Sequence, residues 1–343
     1  MKAAVLEKIN SPLVIKEVGL TPLKVGQVKV RVLVSGLCGS QLQEIAGLKG
    51  NEKFLPHLLG HEGCGIVEEV GEGVTRVKIG DKVVMHWRVG AGIEAPFPSY
   101  IVDGKTISSG KVTTISEYSI ASENRLTVVP ADTDEYLCAL LGCGLTTALG
   151  TINNEVDLKF GESIMIVGCG GVGLNLIQGA KMASAFPIIG LDICEDKSGI
   201  VLDSGANIFI NASSMTEQLN GQKVDVIIDT TGNASIISAT IPYLSDKGRY
   251  VLVGQPKPGE SIAIPNANSL FGGNGKVIKA TQGGKTLPNE DIARYVKLHK
   301  AGILNIRSII THEYTLDEIN TAVDVLRSGK AGRIMIRMAT QNG

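Results

Sequence analysis

Residues 163–173 read Ser-Ile-Met-Ile-Val-Gly-Cys-Gly-Gly-Val-Gly, and they are the most informative segment of the chain for its fold class. An apolar run of strand type passes directly into G-x-G-x-x-G, and apolar residues at helical spacing follow. Asp192 stands nineteen residues after Gly173, at the end of the next predicted strand. A lone glycine pattern is weak evidence in a chain with 42 glycines among 343 residues. Strand, helix and acid together nevertheless predict a dinucleotide-binding βαβ unit.

Each position of this motif has a chemical role in such a unit. Gly168 permits the tight turn, Gly170 lets the backbone approach a pyrophosphate, and Gly173 lets helix and strand pack closely. The helix that opens at Gly171 and Val172 presents backbone N–H groups to the phosphate charge. The glycines could instead form a mere tight turn, without a ligand.

Asp192 can accept hydrogen bonds from a ribose and would repel a 2′-phosphate. No Arg follows it, so NAD is favoured over NADP, and Lys197 is a further cofactor-binding candidate. The competing interpretation makes Asp192 a helix N-cap.

The two halves of the chain differ in their patterns. Before about residue 145, short β-branched runs alternate with glycine turns, which predicts a β-rich, barrel-like domain. Beyond it, strands alternate with helical stretches, which predicts a parallel sheet covered on both faces. The predicted strands of this second part are 163–167, 186–191, 207–210, 224–229, 249–253 and 276–280. Helices are predicted at 289–301 and 316–328, the second opening with a Thr315–Glu318 capping box, and a strand at 333–338.

Composition excludes several classes of function. The formal net charge is −1, so no attraction to nucleic acid or to an anionic membrane is expected. The first residues lack the apolar core of a signal peptide, and the apolar stretch 137–152 is broken by glycines and too short to span a bilayer. We therefore expect a cytoplasmic protein whose six cysteines are free or metal-bound.

Three residues form a candidate metal-ligand set. Cys38, His61 and Cys143 offer two thiolates and an imidazole, which neutralise Zn²⁺ and leave one tetrahedral position open, as in catalytic zinc sites. Spacing alone is weak evidence, because the three are far apart in sequence and a buried Cys is often a small apolar residue.

Longer motifs around these residues resemble those of a known family. The run Gly60–Val74 fits G-H-E-x-x-G-x-x-x-x-x-G-x-x-V, the signature of the zinc-containing medium-chain dehydrogenases. Residues 34–40 and 141–147 look like the two other zinc-ligand loops of that family, and the glycine motif lies where it binds NAD. The resemblance implies a GroES-like β-barrel catalytic domain at 1–145, a Rossmann NAD-binding domain with a doubly wound parallel sheet at 146–285, and a return to the first domain at 286–343.

The resemblance also implies roles for individual residues. Cys38, His61 and Cys143 would hold the zinc, and the nearby carboxylate, which can approach the metal during ligand exchange, is Glu62. Ser40 would take the substrate proton. The remaining matches are a residue against the nicotinamide, one at the pyrophosphate and an aromatic wall of the substrate pocket: Thr147, Arg333 and Trp87.

The chain departs from the family pattern at several points. Residues 88–111 contain no cysteine, so we predict one catalytic zinc and no structural zinc. Gln41 replaces an Asp that commonly supports the zinc-bound His, and Gln43 replaces a proton-relay His. Gly39 replaces a phosphate-binding Arg found in some members.

The sequence therefore predicts a zinc- and NAD-dependent alcohol dehydrogenase that moves hydride between nicotinamide and a small alcohol, polyol or sugar-derived alcohol. One alternative is a zinc-free NAD(P)H enoyl or quinone reductase of the same fold, which the joint presence of the three ligands opposes. The other is a non-catalytic cofactor-binding protein. By resemblance, a homodimer or homotetramer is expected.

Overall fold

The computed structural model describes residues 1–50 and 52–339, which contain nineteen strands and nine α-helices. The strands are β1 (Lys2–Leu6), β2 (Val14–Glu17), β3 (Gly19–Leu20), β4 (Gln27–Leu37), β5 (His57–Leu58), β6 (Glu62–Val70), β7 (Lys82–His86), β8 (Ser99–Val102), β9 (Lys105–Ser108), β10 (Tyr118–Ser122), β11 (Leu126–Val128), β12 (Ile164–Val167), β13 (Ile188–Asp192), β14 (Ile208–Asn211), β15 (Val224–Asp229), β16 (Leu244–Leu252), β17 (Val277–Ala280), β18 (Ile310–Thr315) and β19 (Arg333–Arg337). The helices are α1 (Gly39–Ile45), α2 (Glu135–Leu140), α3 (Gly144–Gly150), α4 (Gly171–Met182), α5 (Ser198–Asp203), α6 (Met215–Leu219), α7 (Ala234–Thr240), α8 (Pro288–Lys300) and α9 (Ile319–Arg327). Each of these helices is too short or too polar to traverse a bilayer.

The first compact unit comprises Met1–Thr146, Leu287–Ile306 and the chain from Ile310 onward. Its largest sheet has the order β11-β7-β6-β4-β19-β18, and β10 also pairs with β4. Two three-stranded antiparallel sheets, β2-β1-β5 and β3-β8-β9, complete its β-structure. Strand β4 lies inside this sheet, between β6 and β19. Its apolar residues are buried along its whole length, as its β-branched sequence predicts.

The second unit comprises Thr147–Thr286 and Arg307–Ile309. Its six strands are all parallel, in the order β14-β13-β12-β15-β16-β17. This is the doubly wound order of dinucleotide-binding folds, with the strand order reversing beside β12. Strands β12 and β13 are buried throughout, which explains their continuous apolar sequences.

Several predicted elements have different bounds in the structure. The strand predicted from residue 186 begins at Ile188, directly after Pro187, which lacks the N–H that a ladder needs. The helix predicted at 316–328 begins as a 3₁₀ turn at Leu316–Glu318 and becomes α-helical at Ile319, and its predicted capping box is present. Helices α1, α2 and α3 and strand β18 were not predicted.

The cysteine-free segment 88–111 is fixed partly by a buried carboxylate. Glu123 is fully buried and accepts hydrogen bonds from the backbone N–H groups of Thr75 and Arg76, both at 2.6 Å, and of Ile93, at 2.8 Å. Gly92 lies so close that a Cβ there would sit 2.7 Å from Glu123 Oε2. We call these contacts the Glu123 anchor. Although burial opposes ionisation, the three backbone donors lower the pKa of Glu123.

Candidate metal and dinucleotide sites

The three predicted ligands come together in the first unit. One donor atom from each of Cys38, His61 and Cys143 lies within 4.8 Å of the others. Cys38 follows β4 as the N-cap of α1, and His61 immediately precedes β6. Because β4 and β6 pair with Ser35 opposite Gly63, the two ligands leave the sheet side by side.

Local contacts orient the His61 ring. Its Nδ1 lies 2.7 Å from the side-chain amide nitrogen of Gln41, so Nδ1 is the ring nitrogen held by this contact and Nε2 is not. The Ser40 hydroxyl lies 3.4 Å from Nδ1 and 3.5 Å from Nε2, at the edge of the same ring. Burial alone would lower the pKa of His61, but its hydrogen bond and charge interaction with Cys38, together with the Glu62 charge, raise it.

The thiols of Cys38 and Cys143 are hydrogen-bonded to each other, and their pKa values are shifted in opposite directions. A hydrogen bond with Cys143 holds the pKa of Cys38 well below its ordinary value, with further help from His61 and Arg333. The same hydrogen bond raises the pKa of Cys143. Cys38 is therefore the first thiolate of the set, and a divalent cation would favour the second. Two sulfurs and an imidazole at this separation suit Zn²⁺.

Both carboxylate oxygens of Glu62 bind protein donors in this structure. It is fully buried, Oε1 accepts a hydrogen bond from the Arg333 guanidinium, and Oε2 accepts one from Gly144 N–H at 3.0 Å. Because Glu62 follows His61 and Gly144 follows Cys143, this one carboxylate connects two ligand loops. Its predicted part in ligand exchange stays a prediction.

Arg333 is also buried, with 3 % of its surface exposed, and its partner is Glu62. Its predicted contact with a pyrophosphate stays a prediction. Close packing surrounds the pair, since a Cβ at Gly36 would lie 2.5 Å from Glu62 Oε1 and one at Gly142 2.6 Å from Glu62 Cα. Sequence reasoning missed this ion pair, although glycines on both sides of Cys143 were a signal of crowding.

A cavity of about 540 Å³ adjoins the metal centre within the first unit, and His61 and the predicted Trp87 both line it. Its other apolar walls include Phe54, Leu59 and Phe97, none of which the sequence singled out as a pocket side chain. The volume is in the range of small-molecule sites.

The charged residues of this cavity have partners. Lys111 Nζ lies 2.9 Å from Glu94, Arg125 lies 3.3 Å from the same carboxylate, and Lys49 lies 3.6 Å from Glu44. Each of the three cations is thus in an ion pair, although Lys111 and Arg125 share the single Glu94 carboxylate and the group keeps a formal charge of +1. Beside these pairs, the cavity offers its aromatic surfaces to a ligand.

The second unit holds the glycine motif between β12 and α4. Gly168 has φ +88°, and a Cβ at Gly173 would lie 2.0 Å from Gly168 O, so a tight turn and close helix packing both require glycine. Gly170, the N-cap of α4, has open space where a Cβ would be. Gly171 and Val172 form the first turn of the helix. This open, amide-lined end fits a pyrophosphate.

Asp192 and Lys197 form a buried ion pair at 3.2 Å beside this motif. The Asp192 carboxylate also accepts hydrogen bonds from the N–H groups of Cys169, at 2.7 Å, and Cys194, at 2.9 Å. It therefore holds the glycine turn, and its one remaining lone pair, on Oδ1, can accept a ribose hydroxyl. Thr147 lies in α3, where its carbonyl accepts a hydrogen bond from Thr151, and its predicted contact with nicotinamide stays a prediction.

A Cys-His-Cys donor set on a β-rich unit, together with a glycine turn on a doubly wound parallel sheet, is the combination of a zinc-binding dehydrogenase. A family model described as alcohol dehydrogenase GroES-like domain matches residues 24–131, and one described as zinc-binding dehydrogenase matches residues 171–300. The chain belongs to the zinc-containing medium-chain alcohol dehydrogenase family. The predicted GroES-like and Rossmann folds are confirmed.

Similar proteins agree with this membership. Alcohol dehydrogenase 1 of Trifolium repens is 30 % identical over 371 residues, covering 98 % of this chain and 97 % of its own. S-(hydroxymethyl)glutathione dehydrogenase of Escherichia coli O139:H28 is 30 % identical over 370 residues, covering 98 % and 99 %. Among solved structures, an alcohol dehydrogenase zinc-binding domain protein from Burkholderia ambifaria superposes with a TM-score of 0.90 at 27 % identity, over 99 % of both chains. The protein is an oxidoreductase of the alcohol dehydrogenase type that acts on small molecules.

Proposed function

We propose that this enzyme transfers hydride between an uncharged alcohol with an aromatic or branched apolar group and NAD, using one zinc ion held by Cys38, His61 and Cys143. The observation that carries the proposal is the meeting of these three donors, from distant parts of the chain, beside a cavity. A zinc-free reductase would have no need of such a set.

The proposed zinc would supply Lewis acidity, polarising the substrate oxygen and lowering its pKa. Bound NAD would supply the hydride acceptor. The chain's own residues do the rest. Cys38 and His61 are fixed by the β4–β6 pairing, and the Glu62 carboxylate holds the backbone beside Cys143.

Ser40 is the proposed proton acceptor, because its hydroxyl lies at the ring of His61 and can both accept and donate a hydrogen bond. Gln43 cannot carry a proton onward as an imidazole would, so we propose that the proton leaves through solvent or the cofactor ribose.

Trp87, Leu59 and Phe97 are proposed to hold the apolar part of the substrate and to exclude water from the reacting carbon. Each of the cavity's cations already lies in an ion pair, which supports an uncharged substrate, because an anionic one would compete with Glu94 or Glu44 for its partner. Simple polyols, which the sequence left open as substrates, are disfavoured in this proposal, because they would bury hydroxyl groups against these aromatic walls.

Asp192 and the motif from Gly168 to Gly173 are the proposed NAD site. The oligomeric state follows the family resemblance, and we propose a homodimer or homotetramer located in the cytoplasm.

The test measures NAD⁺ reduction by the purified protein with benzyl alcohol, branched aliphatic alcohols, ethanol and sorbitol, before and after removal of metal by a chelator. We expect about one zinc per chain, turnover that a chelator abolishes and zinc restores, and the highest kcat/KM with the apolar alcohols. Chelator-resistant turnover would contradict the zinc proposal, and a preference for sorbitol would contradict the substrate proposal.

Cys143→Ala should lose zinc and turnover while keeping its fold, since a two-donor site binds zinc poorly. The matched control is Cys138→Ala, which removes a buried thiol that donates to Val83 O in the same region. It should keep zinc and turnover. Retained zinc and rate in Cys143→Ala would remove that residue from the mechanism.

A further inference from the structure

The side chain of Gln41 stands between two ligand residues. It is buried, with 1 % of its surface exposed, at the third position of α1. One end of its amide, Oε1, accepts a hydrogen bond from Cys38 N–H at 3.1 Å, and the other end, Nε2, lies 2.7 Å from His61 Nδ1. A single amide thus contacts the backbone of one ligand and the ring of another.

This arrangement requires His61 Nδ1 to be a hydrogen-bond acceptor, because the amide nitrogen is a donor only. The ring proton must then be on Nε2. That is the nitrogen that a metal needs as an unprotonated ligand. When a metal binds Nε2 of the neutral ring, the ring proton must be on Nδ1. There it faces the Gln41 amide nitrogen, which is also a donor.

Turning the amide over does not resolve the conflict. Oε1 would then accept the Nδ1 proton, but the amide NH₂ would face Cys38 N–H, which is the helix N-cap amide. Both neighbours are donors in the metal-loaded state, and an amide offers one acceptor oxygen. In either orientation one buried donor loses its partner.

We infer that Gln41 is a positioning residue that weakens zinc binding at this centre, because its amide cannot accept hydrogen bonds from Cys38 and from metal-bound His61 at once. A carboxylate in the same place would accept both and would hold the ring in the metal-binding tautomer. The inference rests on the proposed zinc site. It predicts that the native enzyme binds zinc more weakly, and exchanges it more readily, than the same Cys-His-Cys donors would with a carboxylate in place of Gln41.

The first experiment compares zinc affinity of Gln41→Glu, which keeps the side-chain length and supplies two acceptor oxygens, with that of the native protein. Apoprotein is prepared by dialysis against a chelator, and the Kd for zinc is measured by competition with a chromophoric chelator. We expect Gln41→Glu to bind zinc about 10- to 100-fold more tightly, the usual size of such effects.

The matched control is Gln43→Glu, which adds the same charge two residues later on α1, whereas the hydrogen bonds to Cys38 and His61 are those of Gln41. A gain confined to Gln41→Glu supports the hydrogen-bond account. Equal gains in both variants, or none in Gln41→Glu, would overturn it. If the native protein itself binds no zinc, the proposed function fails instead, so the two failures are distinguishable.

The second experiment reads the ring directly. Histidine ¹H–¹⁵N NMR spectra of the native apoprotein should show His61 protonated on Nε2, and zinc loading should move the proton to Nδ1. In Gln41→Glu, the Nδ1-protonated form should already dominate without metal. An Nδ1 proton in the native apoprotein, together with a zinc affinity no weaker than that of Gln41→Glu, would overturn the inference. A purely structural role for Gln41 would leave this proton unmoved.

Discussion

The metal centre and the Glu123 anchor both connect segments that are distant in sequence, but they use different atoms. The metal centre gathers two sulfurs and an imidazole, whereas the anchor is one carboxylate that accepts three backbone N–H groups. The thiolate and imidazole groups of the metal centre suit a metal cation. The buried Glu123 carboxylate is already stabilised by three backbone N–H donors and needs no cation. The two regions therefore separate what this unit uses for chemistry from what it uses for shape.

The difference also decides what a sequence can reveal. Cysteine and histidine with flanking glycines are uncommon, so the ligand motifs stood out, and the grouping of Cys38, His61 and Cys143 is confirmed. Glutamate is a common surface residue, so nothing in Ser122-Glu123-Asn124 predicted a buried anchor. Four predictions test this contrast, and the substitutions among them are taken in decreasing order of expected effect.

The largest effect is expected from uncoupling Glu62 and Arg333, which support the metal centre. Arg333→Met leaves the Glu62 charge buried without its partner, and we expect a loss of about 3–5 kcal/mol in the free energy of unfolding. Urea denaturation of the apoprotein measures this loss without interference from metal binding.

Its control is the double variant Arg333→Met with Glu62→Gln, which removes both charges and keeps an acceptor for Gly144 N–H. The double variant should be more stable than Arg333→Met alone. Two results would show that the pair does not support the centre. One is a free energy of unfolding for Arg333→Met within about 1 kcal/mol of that of the native protein. The other is a double variant that is less stable than Arg333→Met.

A smaller effect is expected from Glu123→Gln. The amide keeps one acceptor oxygen but turns a donor toward backbone N–H groups, so we expect a loss of about 1–3 kcal/mol in the free energy of unfolding at neutral pH. Glu94→Gln is the matched control, because Glu94 is more exposed and bonds side chains rather than backbone. An equal loss in both variants would contradict a special role for the anchor.

The anchor also predicts a pH dependence. The pKa of Glu123 is lower in the folded protein than in the unfolded chain, so its stabilising contribution is fully present above the unfolded value, about 4.3. It is lost as the pH falls through the folded value. The stability difference between native protein and Glu123→Gln should therefore shrink below about pH 4. A difference that grows on acidification would contradict the assigned direction.

Segments with a regular apolar spacing, bounded by glycines or capping residues, could be predicted from the sequence. The β12–α4 connection was predicted because its strand, glycines and helix are contiguous, and the parallel sheet followed from repeating that pattern. Helices α2 and α3 were missed, because the apolar run from 137 to 152 carries glycines that obscured its helical spacing. Strand β18 is a half-exposed edge strand, and its mixed residues Ile-Thr-His-Glu-Tyr-Thr gave a weak signal.

Contacts across long stretches of chain could not be predicted. Glu62 and Arg333 are 271 residues apart, and no local pattern records that they will meet. The same holds for the Glu123 anchor and for Phe97 in the cavity. The motifs predicted which atoms could bind a metal, whereas the second layer of contacts depends on the folded sheet.

The smallest effect is expected at Phe97, which lies in the segment held by the anchor and lines the cavity. Its ring is half-exposed and Lys111 Nζ lies 4.2 Å from its centre, so truncation removes only part of one wall. We expect Phe97→Ala to lower kcat/KM for benzyl alcohol roughly fivefold, equivalent to about 1 kcal/mol, with little change for ethanol. Phe160→Ala, the same truncation at an exposed position of the second unit, should change neither. Equal losses for both alcohols in Phe97→Ala would mean that the segment acts on the metal centre itself, and the separation of chemistry from shape would be wrong.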